Sequence, residues 1–238
     1  MTKRTDDVRI GRVVVPFDTA TKWIRDYTDE ASNLDSEHPY AFPAYDQYDG
    51  GTTDPAVLTD GDLLSPMLLN VQVKLRAFYG LQRARSRLQE ALSDPLLETP
   101  LAEIIDDRRL RSAVRGLYGP LDESESKPWG VGATTLSKVL HRKRPHSVVL
   151  HDRWVRACYV GDEAPVPRAK NRSWADYMVL ITEAIRHDIA TQHESFTALA
   201  EEARTPRSVS HVRILDILAW SSRGDAPAEE AEEAFRRG

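Results

Sequence analysis

The sequence predicts an all-α fold, and three observations carry that prediction. Apolar residues recur at helical spacing along the chain, from Ala20, Trp23, Ile24 and Tyr27 to Tyr177, Met178, Ile181, Ile185 and Ile189. Helix punctuation accompanies them, with Thr59 three residues before Asp62 at a start and Gly119-Pro120 after Tyr118 at an end. One run only, Arg12-Val-Val-Val-Pro-Phe17, has β composition, and Pro16 cuts it to an isolated strand or an extended arm.

Taken in order, residues 1–58 read as an arm, a helix and an aromatic loop. Asp18 is the expected N-cap for a helix over Thr19 to Glu30. Asn33 to Pro55 reads as loop, holding Tyr40, Phe42, Tyr45 and Tyr48 interleaved with Asp46 and Asp49. Residues 59–223 read as a helical core. The Thr59–Asp62 capping box opens a helix to Asn70, kinked or restarted at Pro66, with a break near Val71 and Val73. Leu75 to Ser93 follows, bent or interrupted at Gly80, and then Leu101 to Tyr118, with Ile104, Ile105, Leu110, Val114 and Leu117 inward. Gly161 to Asn171 is Pro-rich and basic; Trp174 to Ala190, Glu194 to Ala203 and Ser208 to Ser221 are helical. The last is apolar nearly all round and therefore core, with Arg213 and Asp216 placed to pair at i, i+3. Residues 224–238 read as an acidic, Ala-rich tail.

Composition narrows the function. The 238 residues are 41% hydrophobic and 29% charged, the make-up of an ordinary globular chain with a real core. A single cysteine, Cys158, argues against disulfides and a cysteine metal cluster. The charged start has no apolar signal core and no run approaches a membrane span, so the cytoplasm is the expected compartment. A net charge of −5 argues against indiscriminate nucleic-acid binding, so any such contact is local.

One window stands apart. Lys127 to Arg156 holds seven Lys/Arg against one acid, Asp152, a net of +6 in a chain of −5. Gly130-Val131-Gly132 is a tight turn that leads into a helix carrying Leu136, Val139 and Leu140 on one face. Free N–H groups at such a start attract an anion. His141, Arg142, Lys143 and Arg144 close the helix before Pro145, where cations suit the dipole. Val148 to Leu150 then delivers His151 and Asp152 to the start of another helix, where Asp152 suits an N-cap.

The order P-W-G-V-G-A-T-T-L, basic knuckle, V-V-L-H-D-R-W-V resembles the helix-hairpin-helix DNA glycosylase superfamily, over about thirty residues. Three stretches, TDGDLLSPMLLNV, LHRKRP and SHVRILDILAW, look like a bacterial family of unknown function that shares this core. The resemblance implies two helical lobes around a cleft, with the hairpin and Asp152 at that cleft. It implies a DNA partner held by its phosphates at Gly130, Val131 and Gly132, and a flipped base beside Asp152, whose carboxylate stabilises the sugar cation or activates water. Thr134 stands where lyase-active members carry a Schiff-base lysine, which implies a monofunctional enzyme. Trp129 stands where a proline is usual, and His151 before the Asp is unusual.

The residues therefore nominate Asp152 as the catalytic carboxylate. Gly130, Val131, Gly132, Thr134, Lys138, Arg142, Lys143 and Arg144 are nominated as the DNA-binding surface, and Tyr40, Tyr45, Tyr48, His151 and Trp154 as the base pocket. No metal, cofactor or membrane partner is expected. Against these stand plainer roles: Asp152 as an N-cap alone, the knuckle as a solvated helix end, and the tyrosines as pins for a long loop. A DNA-binding or interaction protein without chemistry is the alternative function.

Overall fold

Alternating burial in Val8–Ile10 (β1) and Val13–Val15 (β2) sets one face of an antiparallel hairpin inward. The computed structural model describes residues 7–125 and 127–222, which contain this one sheet and ten α-helices. The hairpin turns at Gly11, with φ at +63°, and a Cβ there would lie 2.2 Å from the Cys158 carbonyl oxygen, so only glycine fits. Asp188 accepts from the Gly11 N–H at 2.6 Å and from the Tyr159 hydroxyl at 2.7 Å, tying the β-run to the helices. The extended arm of the sequence reading is thus one half of a docked hairpin.

Pro16 occupies the N-cap position of the first helix, Phe17–Thr28 (α1), with no side-chain cap, two residues earlier than Asp18 suggested; Asp18 sits in its first turn. Asp29 stops it and caps a short helix, Glu30–Asp35 (α2), inside the expected loop. The capping box is formed as read: Thr59 and Asp62 bond reciprocally at the start of Asp60–Leu64 (α3). Pro66 restarts the chain as a 3-10 turn, Ser65–Leu69, which Asn70 ends with φ at +58°.

Leu75–Leu92 (α4) is one helix with no break at Gly80. A Cβ at Gly80 would meet the Trp129 backbone N at 2.5 Å. The glycine therefore makes room for the turn before Gly130 rather than bending its own helix. The expected helix over 101–118 is split into a 3-10 turn, Leu101–Glu103, and Asp107–Tyr118 (α5), because Asp106 caps the latter through the Arg109 N–H. Ile105 falls in the break and is 94% exposed, not inward; Ile104 is buried.

The remaining helices are Ala133–Lys143 (α6), Arg153–Tyr159 (α7), Trp174–Thr191 (α8), His193–Glu201 (α9) and His211–Ser221 (α10). α10 is the hub, packed against α1, α7, α8 and α9, and α5 lies along α8. Val148, Val149 and Leu150 are buried between α6 and α7. No helix among the described residues is long and apolar enough to cross a membrane. The acidic tail lies outside the described residues.

Candidate functional site

Gly130 takes φ of +69°, and the turn it makes places Gly132 at the N-cap of α6. From there the chain lines a cleft of about 670 Å³: Gly132, Thr134 and Lys138 on one side, His151, Asp152, Trp154 and Arg156 on another, Asn70, Trp174 and Trp220 completing it. A second cavity of about 300 Å³ shares Asn70, Lys138, Asp152 and Trp220 with the cleft and adds Tyr27, Tyr40, Arg213 and Asp216. Asp152 thus stands on a wall common to both spaces.

Its geometry is defined. Asp152 caps α7, one carboxylate oxygen accepting from the N–H groups of Trp154 at 2.8 Å and Val155 at 3.0 Å. The other oxygen lies 3.9 Å from the Lys138 ammonium, and the side chain is 19% exposed. The backbone bonds fix the carboxylate while leaving it a face on the cavities. Lys138 is buried, and its carbonyl accepts from the Tyr45 hydroxyl at 2.6 Å.

The smaller cavity is built on α10. Arg213 is 3% exposed and grips Asp46 with two bonds of 2.7 and 2.9 Å, pairs with Asp216 and reaches the Tyr27 hydroxyl at 3.1 Å. Burial pushes the Asp216 carboxyl above its usual range, against the pull of Arg213 and then Lys138. Three rings form the wall: Tyr27 and Tyr40 are stacked at 5.0 Å, and Trp220 sits edge-on to both.

His151 is buried behind the cleft. One ring nitrogen lies 2.9 Å from the Tyr177 hydroxyl; Nδ1 has no hydrogen-bond partner among the described residues. Burial lowers its pKa to about 4 despite the neighbouring Asp152 carboxylate, so the ring is neutral near pH 7.

Several nominated residues are elsewhere. Lys143 and Arg144 are buried: Lys143 faces Asp62 at 3.5 Å, and Arg144 donates to the Leu92 carbonyl at 2.7 Å. Arg142 donates to the carbonyls of Asp46 and Tyr48. These cations are committed to tying down residues 46–62 and the end of α4, so a phosphate clamp at the knuckle is not available. Val131 is buried as well, leaving Gly130 and Gly132 as the exposed part of the turn. Tyr45 is core, stacked on His141, and Tyr48 lies under Arg142, so neither reaches the cavities; the loop is pinned, as the plainer reading had it. Of the nominated base pocket, Tyr40, His151 and Trp154 line the two spaces.

The sequence reading missed Tyr27, Trp220, Arg213 and Asp216 as site residues. A signal existed: two charges inside a helix apolar nearly all round must be paired in the interior, and Trp220 lies seven residues from Arg213, on the same face. α10 is core, as read, and its Arg213, Asp216 and Trp220 also line the smaller cavity.

Residues 20–223 match a family of unknown function (DUF6308), and the chain belongs to that family. Comparison with curated proteins and with solved structures gives no match.

Proposed function

We propose that this protein binds DNA and holds one extruded nucleotide at Asp152, with a monofunctional glycosylase-type reaction as the chemistry. The observation that supports this most is the shared wall. A fixed carboxylate borders an open cleft on one side and a ring-walled polar cavity on the other, with the Gly130–Gly132 turn at the rim. A base entering the smaller cavity would meet the rings of Tyr40 and Trp220 and the polar edges of Arg213 and Asp216, the pattern that reads a flipped base. The sugar would lie near the Asp152 carboxylate, whose negative charge stabilises an oxocarbenium-like state as the glycosidic bond breaks.

This reading takes the helices as two lobes that meet at the cleft, as the resemblance to the helix-hairpin-helix glycosylases implies. Lys138 orients and balances Asp152 from the interior, and neutral His151 supports the wall through Tyr177. The test is incubation of the protein with a panel of duplexes carrying damaged or mismatched bases, scored for alkali-labile sites, beside Asp152→Asn. Base release by the wild type and none by the variant is the expected result; a wild type inert on every duplex it binds leaves a DNA-binding protein without chemistry. That second reading draws on one feature, the commitment of an Asp152 oxygen to capping α7.

A further inference from the structure

The smaller cavity holds more acid than its cations balance. Its wall and the pair behind it carry two cations, Lys138 and Arg213, against three carboxyls, Asp46, Asp152 and Asp216. Arg213 is engaged by Asp46, whose two oxygens each accept from it, at 2.7 and 2.9 Å. Lys138 lies 3.9 Å from Asp152. Asp216 shares what is left: one of its oxygens accepts from Arg213, and the other makes no hydrogen bond among the described residues. Arg142, the next cation, donates to the backbone carbonyls of Asp46 and Tyr48 and does not line the cavity.

The other titratable groups on the wall are Tyr27, Tyr40 and His38. Tyr27 accepts from Arg213 and stays an uncharged phenol, since burial pushes its pKa up to about 12. Tyr40 is stacked on Tyr27, and His38 is exposed at the rim.

A surplus carboxylate out of water is costly, and a bound proton removes that cost. Of the three side chains Asp216 is the least exposed, at 8% against 15% for Asp46 and 19% for Asp152. Burial pushes its carboxyl upward; Arg213 and Lys138 pull the other way, and Asp152 adds to the rise. When two carboxyls face one cavity in such unequal settings, the more buried one is the acid of the pair.

We infer that Asp216 is the general acid of the proposed reaction and hands its proton to a ring nitrogen of an extruded neutral purine. The inference rests on the glycosylase reading above and names its substrate class. A neutral purine is a poor leaving group until it is protonated, and it offers N3 and N7 for that proton. As the bond from C1′ to N9 breaks, its electron pair stays with the base, and the Asp216 proton passes to N3 or N7, so the purine leaves neutral. Asp152 offsets the positive charge left on the sugar. A water oxygen then bonds to C1′ and a water proton goes to solvent, while the Asp216 carboxylate takes up a proton from solvent.

The test follows single-turnover base release by the full chain from three kinds of duplex. One carries a neutral purine, hypoxanthine or 8-oxoguanine; one carries 7-methylguanine, already cationic and able to leave without a proton; one carries uracil. Wild type should release the neutral purine at a rate that falls as pH rises past the Asp216 titration, and should release 7-methylguanine without that fall. Asp216→Asn keeps an oxygen for Arg213, and it should slow neutral-purine release about 10²–10⁴-fold but 7-methylguanine release less than about tenfold. Equal slowing of both bases makes Asp216 a structural group and overturns the inference. So does unaltered purine release by a folded variant, or a wild type that releases only 7-methylguanine or only uracil; each of these leaves the glycosylase reading standing. Should Asp216→Asn fail to fold, the wild-type pH profiles decide, and parallel profiles for the two purines overturn the inference. A wild type that releases no base from any duplex overturns the inference and the glycosylase reading together.

Discussion

Lys138, Arg142, Lys143 and Arg144 on α6, and Arg156, Arg168, Lys170 and Arg172 beyond it, form two groups of four cations within one short span of chain. The first group is turned into the protein. Three of its members are buried, and each meets a carboxylate or backbone carbonyls: Asp152, the residues 46–52 backbone, Asp62 or Leu92. The second group lines a cavity of about 540 Å³. A run of basic residues therefore announces a charge requirement and not its owner. The first group answers to carbonyls and carboxylates of its own chain in the interior, and the second stands around a cavity at the surface. The pattern K-x-x-x-R-K-R sits on a helix whose other residues are already buried, and this pulls the cations inward with them.

The sharpest way to break this comparison is to remove an interior cation. Arg213→Met leaves Asp46 and Asp216 without their partner in a buried setting, and should cost about 3–5 kcal/mol in denaturant unfolding. A loss below about 1 kcal/mol would mean that the cluster is wet and the α10 floor of the cavity is open to solvent. Arg144→Ala follows, at about 2 kcal/mol, for the loss of charged hydrogen bonds to the Leu92 carbonyl. On the DNA-binding reading it should leave the salt dependence of that binding untouched. Stable Arg144→Ala protein with a flattened salt slope would return the knuckle to the interface.

The interior character of α6 also has a pH signature. Burial lowers His141 to about 3, from an ordinary value of 6.5, while its ring bonds the Val148 carbonyl at 2.7 Å. A base held neutral in the folded state contributes stability that is complete above 6.5 and drains away as pH falls toward the folded value. His151 adds to the same loss down to about 4. The unfolding midpoint should therefore fall between pH 6.5 and about pH 5.5, by at most about 1.4 kcal/mol for each histidine. His141→Asn keeps a donor in the place of Nδ1 and cannot titrate, so it should flatten part of that fall. An unchanged pH profile in the variant would assign the loss to other groups.

Much of the fold was legible because its signals are local. The Thr59–Asp62 box, the stop at Asn70 and the periodicity of α1, α4, α8 and α10 all act within a few residues. What escaped depends on distant partners. Gly80 looks like a defect in a helix until the Trp129 backbone is laid against it, and the run through Val13 to Val15 looks like an isolated strand or an extended arm until β1 pairs with it. The candidate site divides the same way. Gly132, Thr134, His151, Asp152 and Trp154 came from one contiguous window and share one cleft. Tyr27 and Trp220 are 193 residues apart, and only the packing of α1 on α10 brings their rings to 5.8 Å. Exposure is the least legible property, as Lys143 and Arg144 show.

The smallest change in stability should come from the substitution with the most to say about function. Asp152→Asn keeps an oxygen to accept from the Trp154 and Val155 N–H groups, and asparagine caps helices about as well as aspartate, so unfolding should shift by no more than about 1 kcal/mol. What disappears is the negative charge between the two cavities. Lys138 loses its 3.9 Å partner but keeps the attraction of Asp216 nearby. On the glycosylase reading, base release stops because nothing offsets the charge growing on the sugar, while duplex binding holds or tightens with one fewer negative charge near phosphate. On the capping reading, neither release nor binding changes. A folded Asp152→Asn protein that excises bases at the wild-type rate would end the assignment of Asp152 as the catalytic group. A variant that loses DNA binding as well would place the carboxylate in holding the cleft open, a role in positioning and not in bond cleavage.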